Sequence, residues 1–279
     1  MKKLYFITGS QDLYGEDTLA QVAKDSQDMA SFLSEKLGVV SVEFMPTVRN
    51  HKEAIETCVK ASVDEDCVGV IMWMHTFSPA KMWTTALQKL EKPMLHLHTQ
   101  HNEKLPYDEI DMDFMNLNQS AHGDREFGFM CTRLGLKREI AVGYYKNEKT
   151  IAHIRRFAEA CLAIDFSHGM RVAMFGNNMA DVSVTDGDRV ESEIHFGWNV
   201  NYYAIGKLID IKNALTDAEI DAKMAEYNEK YTMDTDNLDS VREQAAIEVA
   251  LDKFIERERV SAFTDTFQDL YGLKQLPGI

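Results

Sequence analysis

Polar and aromatic side chains gather in three segments that each follow a predicted strand and lead into a predicted helix. The segments are residues 9–15, 73–83 and 111–128. In a parallel sheet such positions lie at the carboxyl edge, where loops and helix amino termini build ligand sites. A sugar would suit them, because its C–H faces stack on aromatic rings while its hydroxyls need partners such as Gln119 and His122. Ordinary turns, core packing and helix caps are the alternative for all three segments.

His96 and His98 raise the question of a metal site. They alternate along the predicted strand 94–98, so both side chains lie on one face, as ligands of a shared ion would. No carboxylate or cysteine nearby in the sequence completes a ligand set. We therefore expect hydrogen-bonded histidines at a strand end, in place of a metal centre.

Two more polar loops, residues 175–179 and 185–188, adjoin a predicted strand. Turn chemistry accounts for each of them alone. The sequence contains neither the Gly-x-Gly-x-x-Gly pattern of dinucleotide-binding loops nor a phosphate-binding Gly-x4-Gly-Lys-Ser/Thr loop. It therefore gives no sign of a nucleotide cofactor.

The elements that must position these residues alternate between strand and helix. Apolar runs predict strands at 4–8, 39–44, 67–74, 94–98, 139–142, 171–175 and 198–205. Amphipathic spacing and capping signals predict helices at 18–37, 55–63, 78–90, 119–134, 148–164, 217–231 and 240–258. Strands that are apolar on both faces, such as 67–74, must be covered by helices on both sides. The fold class is therefore α/β with parallel strands, and we expect two domains, 1–168 and 169–279.

Composition argues against several kinds of partner. The chain has 279 residues with 30 Lys and Arg against 45 Asp and Glu, a net charge of −15. This charge repels phosphate backbones and anionic membranes, so we expect neither nucleic acid nor a membrane as a partner. No apolar stretch reaches the roughly 18 residues of a spanning helix or resembles a signal peptide. The four cysteines are widely spaced within apolar segments, as buried reduced thiols are, so we expect a soluble, cytoplasmic protein.

Residues 261–279 form an unusually apolar terminus. They include Phe263, Phe267, Tyr271 and Leu276, and no polar tail or closing helix follows. Chain ends are usually polar or tied down, so we expect that this chain stops inside a larger architecture. The apolar side chains either cover the second domain or form a contact surface.

Four segments together resemble the motifs of L-arabinose isomerases. They are residues 9–15, 73–83, 111–123 and 272–278, in the order and at the spacing of that family. The resemblance spans the whole chain. It implies two doubly wound, flavodoxin-like parallel-sheet domains, the second of them incomplete here, before a β-rich carboxyl-terminal domain that this chain lacks.

The resemblance also implies an activity and a pocket. L-Arabinose isomerases convert L-arabinose reversibly into L-ribulose and, more slowly, D-galactose into D-tagatose, using a divalent metal such as Mn²⁺. The family forms homo-oligomers whose pockets are shared between subunits. By motif position, the sugar-lining residues of this chain are expected to be Gln11, Leu13, Phe77, Gln119, His122, Met179 and Phe267.

The chain departs from the family pattern in two respects. Where the family has an acidic residue and then an arginine around residues 178–179, this chain has Asn177 and Ala180, which changes the local charge of the pocket. The family's two metal-binding glutamates and two metal-binding histidines lie beyond the position of Ile279, and the glutamates also serve as acid and base. We therefore expect no catalytic residue and no metal ligand in this chain, and no isomerisation by it alone. A non-catalytic sugar-binding or assembly module is the alternative function.

Overall fold

The computed structural model describes residues 1–275 and separates the chain into two compact units, Met1–Asp165 and the residues from Phe166 onward. Leu276 and the end of the motif at 272–278 lie outside the described residues. Within residues 1–275, no helix is both long enough and apolar enough to cross a membrane.

The first unit is built on a five-stranded parallel sheet. Its strands are β1 (Lys3–Thr8), β2 (Ser41–Phe44), β3 (Cys67–Trp73), β4 (Met94–His98) and β5 (Glu139–Val142). They are ordered β2-β1-β3-β4-β5, and every neighbouring pair is parallel. In this flavodoxin-like order the winding direction reverses between β1 and β3, and ligands of such folds bind at that switch point. The predicted α/β class with a flavodoxin-like parallel sheet is confirmed.

The helices of this unit are α1 (Gly15–Leu37), α2 (His51–Val63), α3 (Thr84–Leu87), α4 (Met112–Leu117), α5 (Ser120–Arg133) and α6 (Glu148–Ser167). Local sequence explains several of their ends. Gly38 ends α1 with a left-handed φ of 70°, which glycine adopts without strain. Asn50 starts α2, because its side-chain oxygen accepts hydrogen bonds from the backbone N–H groups of Lys52 and Glu53.

The helix predicted at 78–90 is shorter than expected. Residues Ala80–Trp83 form a 3-10 turn, and only Thr84–Leu87 are α-helical. Both end residues of the turn are buried, and a 3-10 turn places residues three apart on the same face. The Trp83 indole N–H donates to the hydroxyl of Ser78, 3.0 Å away. Burial of a large aromatic side chain therefore overrides the helical pattern here.

Apolar side chains are buried on both faces of the sheet, and all seven residues of β3 are buried. One core cluster joins the sheet to α1 and α6, and a second joins it to α2, α3 and α5. The four cysteines, Cys58, Cys67, Cys131 and Cys161, are buried and unpaired. Burial raises the pKa of Cys58 to about 12, so this thiol is protonated and unreactive at neutral pH.

The second unit contains a smaller parallel sheet of β6 (Arg171–Phe175), β7 (Asn199–Tyr203) and β8 (Ala262–Asp265), ordered β7-β6-β8. Its helices are α7 (Arg189–Phe196), α8 (Ile205–Asn213), α9 (Asp217–Lys230) and α10 (Leu238–Glu258). Phe175 packs against Phe254 of α10, with ring centroids 4.9 Å apart, in a core that also contains Leu208.

Four short elements were not predicted from the sequence: α4, α7, α8 and β8. Strand β8 lies in the apolar terminus, so part of that terminus is a sheet strand. Its aromatic side chains are not fully covered, because Phe263, Phe267 and Tyr271 are 39%, 62% and 92% exposed. The apolar terminus therefore extends the second sheet without burying these side chains.

Candidate functional site

The carboxyl ends of β1 and β3 lie side by side at the switch point of the first sheet. The loops that follow them are joined by hydrogen bonds. Nε2 of Gln11 donates to the carbonyl oxygen of Phe77 at 3.1 Å, and the hydroxyls of Ser10 and Thr76 are 2.8 Å apart. The prediction that Gln11 and Phe77 share one sheet edge is confirmed.

Helix α5 brings a third segment to these loops. The imidazole of His122 stacks on the ring of Phe77, with centroids 4.4 Å apart and planes at 25°. Two glycines make this approach possible. A Cβ at Gly123 would lie 2.7 Å from the carbonyl oxygen of Thr76, and a Cβ at Gly9 would lie 2.6 Å from a hydroxyl of the loop after β3. Both distances are shorter than any side chain tolerates, so glycine lets α5 and the loop after β1 approach the loop after β3.

Gln11, Phe77 and His122 form a small surface that we call the strand-end cluster. Gln11 and Phe77 are half-buried and His122 is exposed. Two other predicted residues flank the cluster along the chain. Leu13 is 84% exposed on the turn after Gln11. Gln119 precedes α5, where its carbonyl oxygen accepts from the N–H of His122 while its side-chain amide donates to Asn116 of α4. Four of the five predicted residues of the first unit, all but Leu13, are thus linked by these contacts.

The two predicted residues of the second unit belong to one pocket. Met179 and Phe267 line a cavity of about 380 Å³ at the carboxyl ends of β6 and β8. Asn177 and Asp265 line it as well, and burial raises the pKa of Asp265. The family resemblance would place an acidic residue at position 177. Asn177 gives this wall of the pocket a neutral amide in place of that negative charge.

A larger pocket of the second unit, about 530 Å³, lies between α9 and α10. Its lining includes Tyr227, Tyr231, Met233 and Gln275 and contains no charged side chain among the residues that the structure describes. None of the described residues that line it belongs to a strand, and none is a carboxylate, a histidine or a cysteine. We therefore assign it no part in the candidate site.

His75 and Asp25 form a buried pair. His75 lies in the loop after β3, two residues before Phe77 of the strand-end cluster, and Asp25 lies in α1. Nε2–H of His75 donates to the Asp25 carboxylate of α1 at 2.9 Å, and both residues are buried. The imidazole stacks on Trp73 with centroids 4.2 Å apart, and its Nδ1 has no hydrogen-bond partner among residues 1–275. Sequence analysis did not identify Asp25, because an acidic residue within a long amphipathic helix is usually solvent-exposed.

The pair consists of a neutral imidazole and a carboxylate. Burial lowers the pKa of His75 in spite of the neighbouring carboxylate. Burial alone would raise the pKa of Asp25, but hydrogen bonds from His75 and Gln21 outweigh it and lower that pKa. His101, 3.7 Å from Asp25, adds to this effect and itself stacks on Tyr145.

We expect the first unit to lose stability as the pH falls below about 6.5. In the unfolded chain His75 takes up a proton near that pH, whereas in the folded chain its lowered pKa keeps it neutral. Stability is therefore present above about pH 6.5 and is lost towards acid by up to about 1.4 kcal/mol per pH unit for each proton. Asp25, whose folded pKa is also lowered, adds a loss below about pH 4.

Urea unfolding at a series of pH values checks this expectation. His75→Gln should make the dependence between about pH 5 and about pH 7 shallower by one proton. A His101→Gln variant measures how much of the pH dependence comes from His101, the other histidine near Asp25. An unchanged slope in His75→Gln would mean that His75 titrates alike in the folded and unfolded chains.

His96, His98 and Asp124 come together in the first unit. Nε2 of His96 lies 2.8 Å from Oδ1 of Asp124, and Nδ1 of His96 lies 3.0 Å from Nε2 of His98. The expectation that no carboxylate accompanies the two histidines was wrong, because α5 brings Asp124 to them from a distant part of the sequence. Burial raises the pKa of Asp124 to about 8 and lowers that of His96 to about 3, so both are uncharged near neutral pH.

Comparisons with known proteins cover the whole chain. Residues 1–169 match the family model of the L-arabinose isomerase N-terminal domain, and residues 171–279 match that of the L-arabinose isomerase central domain. The L-arabinose isomerases of Clostridium beijerinckii and Shouchella clausii are 46% and 45% identical to this chain over 278 residues. That of Bacillus subtilis is 42% identical over 283 residues. Each alignment covers 99% of this chain, but the chain spans only 57% of the length of these relatives.

Proposed function

Since the chain belongs to the L-arabinose isomerase family, we propose that it provides sugar-binding surface for the reversible conversion of L-arabinose into L-ribulose. The observation that carries this proposal is the strand-end cluster at the switch point of the first sheet. There an amide, an aromatic ring and an imidazole meet at the edge where flavodoxin-like folds bind ligands.

Each side chain of the cluster has a separate part in binding. The outer face of the Phe77–His122 stack receives the C–H face of the sugar, and the His122 nitrogens bond to hydroxyls. Gln11 and Gln119 add amide groups, and Leu13 adds an exposed apolar contact. D-Galactose has the configuration of L-arabinose at C2, C3 and C4 with an added hydroxymethyl group. We therefore propose its slower conversion into D-tagatose at the same surface.

The pocket of the second unit is the other proposed sugar contact. Met179 and Phe267 supply apolar walls, and Asn177 supplies an amide in place of a charge. Asp265 lies at the same strand ends. Burial raises its pKa, because a partly desolvated carboxylate is less stable than the neutral acid.

The described residues do not fit the metal centre that the family resemblance implies. That centre uses two glutamates and two histidines to hold a divalent ion such as Mn²⁺. Within residues 1–275, the one group of at least three His, Cys, Asp or Glu side chains with closely spaced ligand atoms is His96, His98 and Asp124, which contains no glutamate. We assign no proton transfer of the isomerisation to it. We propose that the centre comes from the region of the relatives that this chain does not match, in a homo-oligomer whose subunits share the pocket.

The state of the cysteines supports a cytoplasmic location, and the net charge bears on the kind of partner. The four cysteines are buried and unpaired, as expected in a reducing compartment. The net charge of −15 disfavours nucleic acid and anionic membranes as partners. A small neutral sugar remains the best-supported partner.

A chimera tests the proposed function. It joins this chain to the part of the Clostridium beijerinckii relative that the chain does not match. With Mn²⁺ and L-arabinose the chimera is expected to form L-ribulose, whereas the 279-residue chain alone should not exceed a metal-free blank. His122→Ala should lower kcat/KM of the chimera about tenfold or more, because it removes the stacking partner and a hydrogen-bonding group.

His153→Ala is the matched control, since His153 pairs with Glu139 away from the cluster and should leave kcat/KM unchanged. Equal losses in both variants would assign His122 to structure alone. Ketose formation by the chain alone would contradict the proposed source of the metal centre. Sugar binding by an inactive chimera would favour the alternative, a non-catalytic binding module.

A further inference from the structure

Two strand-end histidines and one helical aspartate surround a small space in the first unit. His96 and His98 come from β4 and Asp124 from α5. Taking one ligand atom from each residue, all three atoms lie within 4.8 Å of one another. The two imidazole centroids are 4.0 Å apart. This convergence joins side chains from two elements and is independent of the strand-end cluster.

The three side chains differ in how tightly the surrounding residues enclose them. His96 is fully buried and meets the ring of Phe127 edge-on, with centroids 4.9 Å apart, so its orientation is fixed. Asp124 is 3% exposed. His98 is half-buried at the end of β4, so its side chain is less tightly enclosed than that of His96. A rigid pair with one less enclosed neighbour is an arrangement that can close around an ion.

The cluster is open to solvent on one side. His98 and Asp124 line a pocket of about 490 Å³ together with Gln100 and Ser120. The side-chain oxygen of Gln100 is buried without a hydrogen-bond partner among the residues described. A water molecule bound to an ion in this pocket would supply a donor for such an oxygen.

We propose that His96, His98 and Asp124 bind a divalent transition metal ion of the zinc type. Two imidazoles and one carboxylate are ligands that Zn²⁺, Co²⁺ and Ni²⁺ prefer, whereas Mg²⁺ and Ca²⁺ prefer oxygen alone. Three protein ligands leave a coordination position for water on the pocket side. The proposal does not depend on the proposed function.

Geometry sets what binding requires. Two ligands that are each about 2.1 Å from an ion are at most about 4.2 Å apart. The separations of up to 4.8 Å must therefore shrink slightly, which we expect rotation of His98 to provide. The positive charge of Arg138 acts on His96 and opposes a cation, and the ion must also displace the proton that Asp124 carries near neutral pH. We therefore expect micromolar rather than nanomolar affinity.

Calorimetry on the untagged, EDTA-treated chain tests the site with Zn²⁺. One equivalent is expected to bind, and Co²⁺ should give the visible absorption of a four-coordinate site with nitrogen ligands. His98→Ala and Asp124→Asn should each weaken Zn²⁺ binding about tenfold or more. His98→Ala removes a half-exposed side chain, and Asp124→Asn keeps its shape, so unchanged tryptophan emission will verify that both variants fold.

His195→Ala is the control, because it removes an exposed histidine that lies 2.8 Å from a carboxylate oxygen of Glu191. It should leave Zn²⁺ affinity unchanged. Absence of Zn²⁺ binding would overturn the proposal. So would binding that His98→Ala and Asp124→Asn do not weaken, or binding that His195→Ala abolishes. In each of those cases the three residues form a chain of hydrogen bonds without an ion.

Discussion

Asp25→Ala is expected to lower the free energy of unfolding of the first unit by about 2–4 kcal/mol. The Asp25 side chain accepts hydrogen bonds from His75 at 2.9 Å and from Gln21 at 2.7 Å while it is almost wholly buried. Alanine would leave the buried N–H of His75 without an acceptor and would leave a cavity beside it. Asp25→Asn keeps an oxygen acceptor, so its expected loss is smaller, about 1 kcal/mol.

Tryptophan emission can follow the first unit alone. Trp73 and Trp83 lie in that unit and Trp198 lies in the other, so a Trp198→Phe background leaves only first-unit reporters. Urea midpoints are then compared at constant pH. Asp28→Ala removes an exposed acid from the same helix and should change stability by less than about 0.5 kcal/mol. Equal midpoints for the two alanine variants would show that the Asp25–His75 pair contributes nothing to stability.

The architecture of the first unit was predictable because its signals are local. The seven apolar residues of β3 can only be a strand covered on both faces, and Gly38 ends α1 where the pattern predicts. The carboxyl ends of parallel strands share one edge of the sheet, so the sequence alone predicts that Gln11 and Phe77 lie together. Prediction weakened at short elements. Strand β8 has the sequence Ala-Phe-Thr-Asp and so lacks the apolar run that marks β5, which is equally short.

The buried polar pairs could not be predicted in the same way. Asp25 lies among the charged residues of α1, and Asp124 is followed by Arg125 and Glu126, so both resemble the solvent-exposed acids of an ordinary helix. Only the rotation of each helix against the sheet decides that these two acids face inward. That rotation depends on tertiary packing, which a single sequence does not encode in a readable pattern. His75 and His96 therefore had no visible partners.

Glycine at position 123 gives the second large effect, on both stability and binding. A Cβ at Gly123 would lie 2.7 Å from the Thr76 carbonyl oxygen and 2.9 Å from the Met74 Cβ, and neither atom belongs to a flexible side-chain end. Gly123→Ala must therefore move α5 away from the loop after β3, which costs about 1–3 kcal/mol. The gain in helix propensity is about 1 kcal/mol, so we expect a net loss of up to about 2 kcal/mol.

Gly128→Ala in the same helix is the matched control. Its Cβ would meet the end of the Arg138 side chain at 3.1 Å, and that side chain can shift. The same propensity gain is then expected without the clash, so Gly128→Ala should be neutral or slightly stabilising. In the Trp198→Phe background, Gly123→Ala should unfold at lower urea than Gly128→Ala.

The two variants also separate the role of the stack from the role of the helix. Because His122 precedes Gly123, a displaced α5 carries the imidazole away from Phe77, whose ring centroid lies 4.4 Å from it. In the chimera, Gly123→Ala should therefore lower kcat/KM about tenfold, as His122→Ala does, while Gly128→Ala should retain full activity. A Gly123→Ala chimera that is destabilised but fully active would mean that the Phe77–His122 contact is not required for sugar binding. Loss of activity without loss of stability would mean that Gly123 matters for sugar binding, through the position of α5, and not for folding.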